Sequence, residues 1–76
     1  MRVEQAKTLH AEDQLSVVDI IRNPSNLEQW FIIIIDREGR TFFLLEETGE
    51  PLVFEDIEKL ITLLKEIGFK KAQIHL

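Results

Sequence analysis

The sequence predicts an α+β domain: a small antiparallel sheet of three to five strands packed on one amphipathic helix, in the order (α)-β-β-β-(β)-α-β. Three observations carry this. Runs rich in β-branched and aromatic residues alternate with turn residues, and one run holds four consecutive isoleucines, Ile32 to Ile35. A single later stretch, Glu55 to Ile67, has apolar residues at helical spacing. The chain has only 76 residues, too few for two cores, so residues 1-76 form one domain.

Each element has a local reason. Residues 1-14 are polar, with Val3, Ala6, Leu9 and Ala11 on one thin side; they read as a weakly helical or mobile segment. Leu15 to Arg22 reads as a strand through Val17, Val18, Ile20 and Ile21. Asn23-Pro24-Ser25-Asn26 supplies a turn, because Pro24 fixes φ and the polar side chains bond to nearby backbone. Trp30 to Asp36 is the strongest strand signal, since stiff χ1 torsions favour the pleated state. Gly39 suits the positive-φ position of a hairpin, and Arg40 to Glu46 is the returning strand. Glu47 to Pro51 turns again, and Leu52 to Phe54 is either a short strand or an apolar lead into the helix.

The helix of Glu55 to Ile67 carries Ile57, Leu60, Ile61 and Leu64 in the i, i+3, i+4, i+7 pattern. Acids lie at its positive end and Lys65, Lys70 and Lys71 near its negative end. Gly68 is placed as the left-handed terminator, with Phe69 closing back on the last turn. Ala72 to Leu76 alternates and reads as a final strand.

Parity raises a problem that bears on function. Trp30, Ile32 and Ile34 take one side of their strand, and Phe31, Ile33 and Ile35 take the other. The next strand repeats this with Phe42 and Leu44 against Phe43 and Leu45. One helix covers one face, so the second apolar face needs another cover. A second copy of the chain is favoured; the N-terminal segment and a different partner protein are the alternatives. The candidate interface is therefore Trp30, Phe31, Ile32, Ile33, Ile34, Ile35, Phe42 and Leu44, since parity does not say which face is core.

Charge narrows the partners. Fourteen acids oppose nine bases, for a net charge of -5. Glu46, Glu47 and Glu50 form a candidate acidic docking patch for a basic surface. Nucleic acid is disfavoured, because phosphate contacts need a basic stripe and Lys70-Lys71 is the only adjacent basic pair. An anionic membrane surface is disfavoured for the same reason. The longest apolar run, Trp30 to Ile35, is far short of the roughly 18 residues that suggest a span. Arg2, Glu4, Gln5, Lys7 and Thr8 leave no apolar stretch for a signal peptide, so a cytoplasmic location is expected.

No catalytic, cofactor-binding or metal site is expected. There is no cysteine, and His10 and His75 lie in no ligand spacing. The hydroxyls of Thr8, Ser16, Ser25, Thr41, Thr48 and Thr62 lack a GxSxG context, and Gly39, Gly49 and Gly68 are too far apart for a phosphate loop. The acidic turn does not fit a calcium loop. The apolar hairpin, the helix, Ile67-Gly68-Phe69 and the short last strand together resemble small proteins of bacterial plasmids and other mobile elements. That resemblance covers about the last 45 residues and carries no functional residue across.

The sequence thus points to a small acidic interaction module without catalytic activity. It would act through self-association, and through the free edge of the last strand, which could accept a partner strand. The alternative is an accessory nucleic-acid-associated factor of a bacterial mobile element, touching DNA or RNA through Arg37, Arg40, Lys70 and Lys71.

Overall fold

The computed structural model describes all 76 residues. The elements are α1 (Val3–Ala11), β1 (Leu15–Asn23), β2 (Asn26–Asp36), β3 (Thr41–Phe43), α2 (Ile57–Ile67) and β4 (Gln73–His75). The four strands form one sheet in the order β3-β2-β1-β4. β1, β2 and β3 are an antiparallel meander, while β4 runs parallel to β1. The sheet is therefore mixed rather than wholly antiparallel. The reason is directional: β3 runs like β1, α2 returns the chain, and the strand after α2 must again run like β1.

Both helices lie on one side of the sheet. Val18, Ile20, Ile32 and Ile34 from the sheet, with Leu44 just past β3, pack against Leu60, Leu64 and Ile67 of α2 and Ala6 of α1, all at 4% exposure or less. The segment 1-14 is thus a real helix in its middle, held by Ala6 with Val3 and Leu9 beside it. Its last turn docks on the end of α2, where the His10 ring stands edge-on to Phe69 at 4.9 Å between centroids.

Two local devices set the register. Leu15 pairs with Asp36 and Val17 with Ile35, so Ser16 is an extra residue on β1. This bulge lets Leu15 join Val18 and Ile20 on the helix side despite its odd position. At the other hairpin, Gly39 has φ 84° and its N–H donates to the Asp36 carbonyl at 3.1 Å.

Element ends differ from the expectation where polar caps intervene. β2 begins at Asn26, because a two-residue turn at Pro24-Ser25 brings Asn26 directly opposite Asn23. α2 begins at Ile57: the Asp56 carboxylate accepts the Glu58 N–H at 2.9 Å and so starts the helix two residues late. Gly68 ends it at φ 120°, and both Gly68 and Phe69 donate N–H groups to the Leu64 carbonyl. β3 stops at Phe43 rather than Glu46. Beyond it Leu44 still donates to Ile32, but Leu45 turns to pair with Arg2 and Pro51, and Phe54 takes the next place beside Trp30. Leu52 to Phe54 is thus a pairing segment without becoming a strand.

Candidate functional site

Alternation along the strands places Val17, Asp19 and Ile21 of β1 on the side away from the helices. Phe31, Ile33 and Ile35 of β2, Thr41 and Phe43 of β3, and Gln73 and His75 of β4 share that side through the strand register. Nothing in the chain covers it. Val17 is 37% exposed and Phe43 41%, and Ile21, Phe31, Ile33 and Ile35 are half-buried by their neighbours alone. Phe31 and Phe43 meet edge to face at 5.6 Å across the β2–β3 pair. No lysine, arginine or glutamate lies among these positions.

The face has one polar centre. Asp19 sits among Val17, Ile21 and Ile33, and its Oδ1 is shielded from water without a well-aligned hydrogen bond. The Nε2 of His75 approaches it at 3.2 Å from the neighbouring strand. Sequence reasoning placed His75 on the polar side of its strand but missed this pairing, because only the parallel docking of β4 on β1 brings the two together.

The candidate interface residues divide by face. Phe31, Ile33 and Ile35 lie on the open side. Trp30, Ile32, Ile34, Phe42 and Leu44 do not. Ile32, Ile34 and Leu44 are fully buried under the helices and are core. Trp30 is half-buried on the same side, with the Arg22 guanidinium 4.3 Å over its ring. Phe42 pairs with Ile34 and borders a hollow with Met1 and Leu9. Sequence reasoning missed Val17, Ile21 and Phe43 as partners of the open set. Parity held the signal for all three, but it lacked the knowledge of which side the helices choose.

The acidic patch residues Glu46, Glu47 and Glu50 are exposed at a turn closed by the Glu46 N–H and the Glu50 carbonyl at 2.7 Å. Arg2 donates to the Glu47 carbonyl at 3.3 Å and brings a cation to the turn.

The basic residues of the nucleic-acid alternative are not equally free. Arg37 is paired with Asp13 at 2.8 Å. Arg40 binds Asp36 at 2.8 Å and Glu38 at 3.4 Å. Burial pushes the Asp36 carboxyl up, but the Arg40 and Glu38 backbone N–H groups and the Arg40 guanidinium outweigh it and hold it below the ordinary carboxylate range. Arg40 is raised in turn by its bond to Asp36. This cluster shapes the β2–β3 turn. Lys70 and Lys71 carry no ion pair.

No three of the His, Asp and Glu side chains converge closely enough to hold a metal ion. No helix is long and apolar enough to cross a membrane. Comparison with protein-family models, curated proteins and solved structures found no match for this chain.

Proposed function

We propose that this protein is a non-catalytic interaction module that self-associates through the open face of its sheet. The observation that carries the reading is a sheet face with six apolar side chains, Val17, Ile21, Phe31, Ile33, Ile35 and Phe43, and no long charged residue among them; Lys70 and Lys71 border it only at the Val17 corner. An antiparallel sheet that faces water normally alternates apolar with polar residues. This one keeps its charge elsewhere, although 30% of the chain is charged.

A second copy is the occupant that fits. Two like faces can stack about 10 Å apart with side chains interdigitating. Among the side chains of the face itself, such a contact brings together no like charges except Asp19, which has His75 beside it; Lys70 and Lys71 lie at the edge by Val17. Size sets the strength. Strands of nine, eleven, three and three residues, at about 3.3 Å per residue and about 4.8 Å apart, give a flat face on the order of 400 Å². Two such faces lie near the lower limit of about 1,000 Å² for specific interfaces, once side-chain relief is added. We expect weak association, in the micromolar range.

Sedimentation equilibrium at about 50 µM, above micromolar dissociation constants, should report twice the chain mass. The Ile33→Lys variant should sediment as a folded monomer. A wild-type monomer at that concentration overturns the reading.

A further inference from the structure

The two edges of the sheet are not alike. Beyond β3, the main chain of Met1 and Arg2 lies alongside: Leu45 donates to the Met1 carbonyl at 2.7 Å, and Arg2 bridges Leu45. Beyond β4 nothing pairs. Gln73, Ile74 and His75 are all exposed, and β4 bonds only to β1. A strand points its N–H and C=O groups alternately to either side, so β4 offers its outward groups to any chain that lies beside it.

The ground next to that edge is apolar and shaped. Ile74 pairs with Ile20, which places it on the helix side of the sheet, at 50% exposure. Between it and α2 is a hollow of about 220 Å³, walled by Ile61, Leu64 and Phe69. Ile61 is 37% exposed there. Lys65, Lys70 and Lys71 rim the same hollow. None of the three makes an ion pair within the chain, although acids outnumber bases fourteen to nine.

We infer that β4 and this hollow accept an extended acidic segment of a partner protein as a fifth strand. Main-chain bonds to β4 would give the affinity. Alternate apolar side chains of the segment would enter the hollow over Ile61 and Ile74. Its carboxylates would meet Lys65, Lys70 and Lys71, which also sets specificity. A second copy adding its own last strand is the poorer occupant, because residues 70-76 bring two more lysines and no acidic side chain. The inference rests on the reading of the protein as a binding module, but not on the dimer: Gln73 and His75 of β4 border the open face, whereas the apolar hollow of Ile61, Leu64, Phe69 and Ile74 lies on the opposite side of the sheet.

The test uses the full chain, labelled with ¹⁵N, and a blocked heptapeptide that alternates Glu and Val. Addition to about 1 mM, a range that detects weak binding, should shift the amides of residues 72-76 together with Ile61 and Leu64. Added salt should weaken binding. Lys70→Glu with Lys71→Glu should lower affinity about tenfold. Ile61→Glu, which places a charge in the hollow and tests the site on a different element, should also abolish the shifts while circular dichroism stays native. Three outcomes overturn the inference: no shift at residues 72-76, equal binding of the matching Lys-Val peptide, or shifts confined to Thr41–Phe43 or to Phe31, Ile33 and Ile35. Sedimentation of the free protein reads the dimer separately. A monomer that binds the peptide defeats the dimer alone, and a dimer that does not bind it defeats this inference alone.

Discussion

On the side of the sheet that carries the helices, Val18, Ile20, Ile32 and Ile34 are 0 to 1% exposed. On the other side, Ile21, Ile33 and Ile35 come from the same strands and stay half open, with Val17 at 37%. The chemistry of the two sets is nearly identical. Their difference lies in what stands opposite: Ala6, Leu60, Leu64 and Ile67 on one side, nothing on the other. An apolar side chain therefore contributes to folding only where the same chain supplies its partner atoms. The remainder is available to association.

Adjacent residues of β2 should separate the two sides of the sheet most sharply. Ile32→Lys buries an unpaired charge among core side chains, at a cost of several kcal/mol, and should leave the domain unfolded by circular dichroism. Ile33→Lys points to the open side and should keep a native spectrum while losing the dimer. If both variants unfold, or both keep the same mass in sedimentation, the distinction between faces collapses.

The next test pairs truncations. Leu60→Ala removes a fully buried side chain and should lower stability by about 2 to 5 kcal/mol in urea titration. Phe43→Ala, on the open side, should lower it by only about 1 to 2 kcal/mol under conditions where the protein is monomeric, and weaken association as well.

How far the sequence was legible follows from the same pair of faces. Element identity was readable, since the isoleucine run and the helical stripe have no rival period. Parity was readable too, and it separated Phe31, Ile33 and Ile35 from Ile32 and Ile34. The choice of side was not, because both sets are apolar and alternation is symmetric. The bulge at Ser16 was hidden as well, since an extra residue in a ladder leaves no compositional mark. The parallel setting of β4 could have been found by counting direction changes through α2, but the pairing of His75 with Asp19 depends on register, which short strands do not announce.

Smaller effects sharpen the covered side. Gly68→Val forces a branched residue to φ 120° and sets its Cβ 2.7 Å from the His10 ring nitrogen. We expect a loss of about 1 to 2 kcal/mol or more by thermal melt, with no change in the self-affinity of the folded chain. Asp56→Ala deletes the α2 cap and should cost about 1 kcal/mol in the same assay. An equal shift in self-affinity from either variant would show the two faces to be coupled.

Asp36 gives the pH signature. Its carboxyl titrates below the ordinary range in the folded chain, so the unfolded state binds a proton first as pH falls. Its contribution is complete at neutral pH and is lost as pH drops through and beneath the ordinary carboxylate range. Urea titrations at neutral and acid pH should show wild type losing more stability on acidification than Asp36→Asn. Equal losses would remove the turn from the account.

The parallel attachment of β4 has a consequence for how the molecule opens. Its three residues meet β1 partners 54 positions earlier in the chain, whereas β1 and β2 are joined by a two-residue turn. Closing the distant contact costs more chain entropy for fewer bonds. β4 should thus be the first piece to detach and the last to return. When it leaves, the main chain of Asp19 to Ile21 gains a free edge and Asp19 loses His75, while the meander beneath the helices persists. Amide hydrogens bonded between β1 and β4 should exchange through this partial opening, at a lower free energy than those between β1 and β2. The edge that can recruit a strand is also the edge the protein sheds most readily.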